Sequence, residues 1–172
     1  MNVSKRTAVA MLTVAAIAGS ATTAVTAVAH QGKGRSHSED GNRLALFTSL
    51  APSVPTDPTL LGAAAGAVPW VLHSGEAKLH TAGRLTVRLR GLLIPSGQFA
   101  GTTGPVQTVS ASLYCADNTM PVGTSELVPL SRTGDARITT TLALPAKCQI
   151  PALLIHPNGA LSTYIATTGI GG

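Results

Sequence analysis

From Trp70 onward the chain alternates apolar and polar positions with a period of two, the spacing of a strand that buries one face and wets the other. Leu85, Val87 and Leu89 interleave with Arg84, Thr86, Arg88 and Arg90. Val109, Ala111, Leu113 and Cys115 interleave with Ser110, Ser112 and Tyr114, and Ala136, Ile138, Thr140 and Leu142 with Arg137, Thr139 and Thr141. Shorter runs over 43–50, 70–73, 76–80, 126–130, 152–156 and 162–167 read as further strands. Turn-forming residues separate them: Thr81-Ala82-Gly83, Pro95-Ser96-Gly97, Asp117-Asn118, Thr133-Gly134-Asp135 and His156-Pro157-Asn158-Gly159. With no helical period beyond residue 29, the pattern predicts an all-β domain over 43–172, an antiparallel immunoglobulin-like β-sandwich of about seven or eight strands.

Between the first and second runs the pattern lapses. Pro52, Pro55 and Pro58 forbid helix and allow only loop or edge geometry. Gly62-Ala63-Ala64-Ala65-Gly66 is too short for a helix and reads as a flexible lead-in. Trp70, held between Pro69 and Val71, is assigned to the core.

The N-terminus obeys a different pattern. Lys5 and Arg6 precede a charge-free run over 8–29 that closes on Ala27-Val28-Ala29, the order of a secretory signal peptide over 1–29 with cleavage after Ala29. The run is also long enough to span a bilayer, but its alanines and threonines make a weak anchor. The expected product is secreted, starts at His30 and has no membrane span. No cysteine near the cut takes a lipid, and Thr-Thr-Gly-Ile-Gly-Gly offers no hydrophobic tail. Residues 30–42 contain no apolar side chain and read as a disordered leader, in which His30 and His37 are solvated.

Composition narrows the classes. Across 172 residues, 44% are apolar, enough to bury a core and to exclude wholesale disorder. The formal charge of +5 falls to +3 once Lys5 and Arg6 leave with the signal. That modest charge, one Trp, two Tyr, two Phe and export together argue against nucleic acid as a partner. Two cysteines are too few for a disulfide-dense miniprotein or a four-cysteine zinc module. In an oxidising compartment Cys115 and Cys148 are expected to pair, closing a loop whose chain-entropy contribution is about 3 to 4 kcal/mol.

The succession Leu50-Ala51-Pro52-Ser53-Val54-Pro55-Thr56-Asp57, Pro69-Trp70, Gly91-Leu92, Ser110-Ala111-Ser112-Leu113-Tyr114-Cys115, Gly134-Asp135-Ala136, Leu144-Pro145-Ala146-Lys147-Cys148 and His156-Pro157-Asn158-Gly159 resembles small secreted actinobacterial proteins of unassigned function. The likeness covers about residues 43–170, and the paired-cysteine context is its most specific part. It implies a single β-sandwich domain behind a signal peptide, with one cysteine pair. It carries no catalytic residue.

Signals for chemistry are sparse. The seven carboxylates are scattered, and nothing pairs any two of them as a glycosidase requires. Asp117 and Asp135 read as turn formers. Gly123-Thr124-Ser125-Glu126 is not a nucleophile elbow. His73 and His80 flank what reads as a Ser74-Gly75 turn and can meet from neighbouring strands, while His156 begins another turn. Exposed strand-end histidines are the plainer reading, so no cofactor or metal is expected and the chain is read as non-catalytic. The alternative is a secreted hydrolase or metal-dependent enzyme built on those histidines. Arg84, Arg88 and Arg90, with Lys78 and Arg137 beside them, form the most distinctive charged feature. Such a face suits acidic cell-envelope polymers. The plainer reading is a solvated outer face whose solubilising charges also discourage edge pairing. The expected role is therefore an extracellular or cell-envelope binding or structural module.

Overall fold

The structure is a computed structural model and describes residues 42–115 and 118–168. The expected signal segment, the leader before Asn42, Asp117 and residues 169–172 lie outside the described residues. The described chain is all-β. Its strands are β1 (Leu44–Pro52), β2 (Ala64–Ala65), β3 (Ser74–His80), β4 (Arg84–Arg90), β5 (Thr108–Cys115), β6 (Gly123–Thr124), β7 (Val128–Pro129), β8 (Ala136–Thr141), β9 (Pro151–Pro157), β10 (Thr163–Tyr164) and β11 (Ala166–Thr168). One 3-10 turn, Gly97–Phe99, is added to these, and there is no α-helix among the described residues.

One antiparallel sheet runs in the order β6-β5-β9-β11-β1-β3-β4-β8, with β7 also paired to β5. Strand β1 is its joint. Leu46 and Phe47 face Leu79 and Lys78 of β3, whereas Leu50 and Pro52 face Thr168 and Ala166 of β11. By changing partners partway along, β1 lets the sheet curl so that two halves share one core. Leu79, Leu85, Val87, Leu89 and Ile138 come from β3, β4 and β8; Val109, Ala111, Leu113, Leu153 and Ile155 come from β5 and β9. Trp70 joins this cluster and is 3% exposed, as expected of a core residue. Burying each large apolar side chain stabilises the fold by about 1.5 to 3 kcal/mol, so this shared interior is the main source of stability.

The three segments with the clearest alternation become β4, β5 and β8. Elsewhere the structure corrects the reading. Ser74 and Gly75 open β3 rather than forming a turn, and Gly75 fits because a Cβ there would run into the side chains of Leu72 and Leu50. Segment 70–73 makes no strand, only a bridge between Val71 and Leu93. Segment 126–130 contracts to β7, and 162–167 divides at Ile165 into β10 and β11.

The largest correction concerns 62–66. Ala64 and Ala65 form β2, which pairs in parallel with β10; Ala64 N–H donates to the Ser162 carbonyl and Gly66 N–H to that of Tyr164, each at 2.9 Å. The stretch from Ser53 to Gly66 is thus a strap laid over β5 and β9. From the strap, Ala63 packs against Tyr114, Leu154 and Tyr164 in a second, smaller core, flanked by Leu60, Leu61 and Ala65. Ser53 fastens one end, its N–H donating to the Ile165 carbonyl at 3.0 Å and its hydroxyl to the Tyr164 carbonyl at 3.2 Å. Tyr164 Oη returns a bond to the Pro58 carbonyl at 2.9 Å. In consequence β5 is buried on both faces, and Ser110 and Ser112, predicted to point to solvent, are enclosed.

Two glycines set the turns around β4. Gly83, at φ +82°, closes the β3–β4 turn where a Cβ would collide with the Leu142 carbonyl, and at Gly134, φ +77°, a Cβ would run into the Leu92 backbone. Cys115, the last residue of β5, is joined to Cys148 just ahead of β9, with Cα atoms 4.9 Å apart. The bond fastens the end of β5 to the segment that leads into its neighbour β9.

Candidate functional site

Strand β4 runs between β3 and β8, so its outward side chains are surrounded rather than set on an edge. Because Leu85, Val87 and Leu89 are drawn into the core, the pleat turns Arg84, Thr86, Arg88 and Arg90 outward. Register then fixes their neighbours. Arg88 stands opposite Glu76 of β3 and opposite Arg137 of β8, Thr86 opposite Lys78 and Thr139, Arg84 opposite Thr141, and Arg90 opposite Ser74. The expected association of Arg84, Arg88 and Arg90 with Lys78 and Arg137 on one face is thus present.

Two carboxylates offset these five cations locally. Glu76 Oε2 lies 3.9 Å from Lys78 Nζ, and that ammonium also sits 4.8 Å above the ring of Phe47. Asp135 stands at one border. Its Oδ1 accepts the Gly91 N–H at 3.0 Å and its Oδ2 the Thr133 hydroxyl at 2.9 Å. The Gly91 bond, then the Thr133 bond, and to a smaller extent the charge of Arg90, hold its carboxyl below the usual aspartate range. Asp135 is therefore the turn former its sequence context suggests, and it stays ionised beside Arg90. Arg84 donates to the Asn42 side-chain oxygen at 3.1 Å. Arg88 and Arg137 face each other with like charge, an arrangement that costs stability unless an anion lies between or above them.

Three shallow depressions on this face share Arg88. One of about 690 Å³ includes Arg90, Asp135 and Arg137; one of about 260 Å³ adds Ser74 and Glu76; one of about 160 Å³ includes Lys78, His80 and Thr86. Such open, cation-lined relief can receive anionic groups from solvent without desolvating the guanidinium groups completely. The sequence pattern did not reveal that Phe47 borders the same face. Phe47 stands opposite Lys78, on the outward side of β1 that alternates with Leu46, Thr48 and Leu50, and is 59% exposed.

The histidines do not assemble. His73 precedes β3 and donates its N–H to the Arg90 carbonyl, while His80 ends the same strand with Nδ1 3.0 Å from the Asn42 carbonyl oxygen. They occupy opposite ends of one strand, not neighbouring strands. His156, expected at an exposed strand end, lies in β9 with none of its surface exposed, because β10 and the turn before it close over it. Burial holds its pKa below the ordinary histidine value, against the pull of the Thr163 and Ala160 carbonyls. Among the described residues, no group of three or more His, Cys, Asp or Glu side chains is placed to hold a metal ion.

Beside the disulfide, Met120, Val122, Leu144 and Pro145 line a second groove of about 780 Å³, largely apolar and away from the arginines. Among the described residues no helix is long and apolar enough to cross a membrane. The disulfide is compatible with an oxidising extracellular environment. Comparison with protein-family models, with curated proteins and with solved structures finds no match to the chain.

Proposed function

We propose that this chain is a secreted, non-catalytic module that binds acidic polymers of the cell envelope through the face centred on Arg88. On this reading the signal peptide is removed after Ala29, and the curled sheet is an immunoglobulin-like β-sandwich of the kind carried by small secreted actinobacterial proteins. The observation that carries the reading is the like-charged pair of Arg88 and Arg137, set directly opposite each other in register on an open sheet face. Glu76, opposite Arg88 on the other side, is the one carboxylate in register with this pair; a polymer of repeating negative charge adds further counter-charge, and repeating contacts compensate for weak individual ones. The unneutralised cations also favour encounter with such a polymer over long range.

The test is retention of the secreted protein on envelope material from the producing cell, for the native chain and for Arg88→Ala combined with Arg90→Ala. The double variant is expected to lose most of its retention at low salt, with the difference shrinking at high salt. Equal retention of both proteins at both salt concentrations overturns the reading. Intact mass of the secreted form is expected to correspond to His30 through Gly172. Recovery of Met1 in a membrane fraction overturns the export step independently of binding.

A further inference from the structure

On the covered side of the sheet, Ser110 of β5 stands directly opposite His156 of β9. Ser110 is 2% exposed and His156 not at all, yet neither Ser110 Oγ nor His156 Nε2 has a hydrogen-bond partner in the protein. Nearly all buried polar atoms in native proteins are paired, so two orphans facing each other call for one explanation. The tautomer indicates which kind. His156 Nδ1 lies 2.7 Å from the Thr163 carbonyl oxygen. A carbonyl only accepts, so Nδ1 carries the hydrogen and Nε2 is left with a bare lone pair. Ser110 thus has a hydroxyl hydrogen without an acceptor, facing an imidazole nitrogen without a donor.

We propose that Ser110 and His156 form a binding site for one internal water molecule. Side chains opposite each other on antiparallel strands stand about 4.5 to 5.5 Å apart at Cβ. No hydrogen bond joins the two polar atoms, and a single bridging water is the bond that satisfies both. The water accepts from the Ser110 hydroxyl and donates to His156 Nε2. A continuous chain then runs from Ser110 through the water and His156 to Thr163, tying β5 and β9 to β10 beneath the strap. The alternative chemistry for such a pair is a nucleophile and its base. The enclosure of both side chains leaves no route for a substrate, so the arrangement is read as structural.

A crystal structure of the secreted chain at about 1.5 Å resolution tests this directly. A density peak is expected within about 2.6 to 3.2 Å of both Ser110 Oγ and His156 Nε2. No peak, or a direct bond between the two side chains, overturns the proposal. A double-mutant cycle with Ser110→Ala and His156→Phe gives an independent reading in solution. The loss in unfolding midpoint for the double variant is expected to be smaller than the sum of the single losses, since either substitution already removes the shared water. Strict additivity overturns the proposal, and the crystallographic test stands even where His156→Phe does not fold.

Discussion

The two halves of the curled sheet solve the inner face alike and the outer face differently. Both β4 and β5 send every second residue into the shared core. On β4 the outward residues meet solvent, and Arg84, Arg88 and Arg90 are exposed. On β5 the residues in the same structural role are covered: Tyr114 packs with Ala63 of the strap, and Ser112 is fully buried, with Oγ 2.8 Å from Thr124 Oγ1 of β6. Period-two patterning therefore tells which face of a strand joins the main core. It does not tell whether the other face is wet. That is decided by distant chain, in this case the stretch from Ser53 to Gly66 together with β10.

If the strap is part of the cooperative fold, its anchor should matter as much as a residue of the main core. Tyr164 is fully buried between strap and sheet and bonds Pro58. Tyr164→Ala is expected to cost about 3 to 5 kcal/mol in urea unfolding, the range for truncating a large buried aromatic. A loss below about 1 kcal/mol, typical of an exposed site, would show that the cover is peripheral and would erase the contrast between the halves.

The disulfide belongs to the covered half as well. Cys115 and Cys148 are separated by 33 positions, so their removal as Cys115→Ser with Cys148→Ser is expected to cost about 3 to 4 kcal/mol. Since the bond lies at one end of β5 and β9, amide exchange should quicken first in those strands and leave β3 and β4 nearly unchanged. Uniform quickening across both halves would mean that the sheet unfolds as one unit despite its two kinds of cover.

The open half was legible in the sequence because its chemistry is local. Leu85, Val87 and Leu89 set the inward positions of β4, and the arginines follow by alternation; the Gly-containing turn at 81–83 then brings Lys78 alongside. Arg137 required only the period of β8 and the right register. The covered half depends on contacts far apart in sequence, which no local period records. One signal was present: Ala152-Leu153-Leu154-Ile155 is continuously apolar, the mark of a strand buried on both sides. Read with the small Ala63-Ala64-Ala65 run and the large Tyr164, it points to a close cover over β9. For His156, the following Pro157 and Asn158 suggested an exposed turn, and only the approach of Thr163 buries it. Phe47 escaped notice because β1 mixes apolar residues on both sides, and only its pairing with β3 places Phe47 opposite Lys78 on the outward face.

Titration separates the halves more finely. The titratable groups of the smaller core are Tyr114 and Tyr164, both pushed above the usual tyrosine range mainly by burial and so neutral across the acid range; Asp57 lies within electrostatic range of Tyr164. His156 is buried in its neutral form, and its folded pKa is below the unfolded value of 6.5. Above that value both states are neutral there and stability is at its full level. As pH falls below it the unfolded chain binds a proton that the folded chain refuses, so stability falls by at most about 1.4 kcal/mol per pH unit until the folded pKa is passed. His156→Phe should remove that slope between the two values. An unchanged slope in the variant would place the acid sensitivity elsewhere and leave the covered half without a distinct pH response.

The smallest effect falls on the open half and has the opposite sign. Arg137 is exposed and directly opposite Arg88, so Arg137→Thr removes a repulsion and introduces a good strand former beside Thr139 and Thr141. The variant is expected to be more stable by about 0.2 to 1 kcal/mol at low salt, with the gain fading as salt screens the pair. Its retention on envelope material should fall over the same salt range. An outward substitution under the strap offers no such exchange, because Ser112→Arg would bury a charge with no acidic partner. Stability gained with binding lost would mark the arginine face as held against its own repulsion for the sake of a ligand. Stability gained with binding intact would return those cations to the role of solubilising charge, and the two halves would then differ only in what covers them.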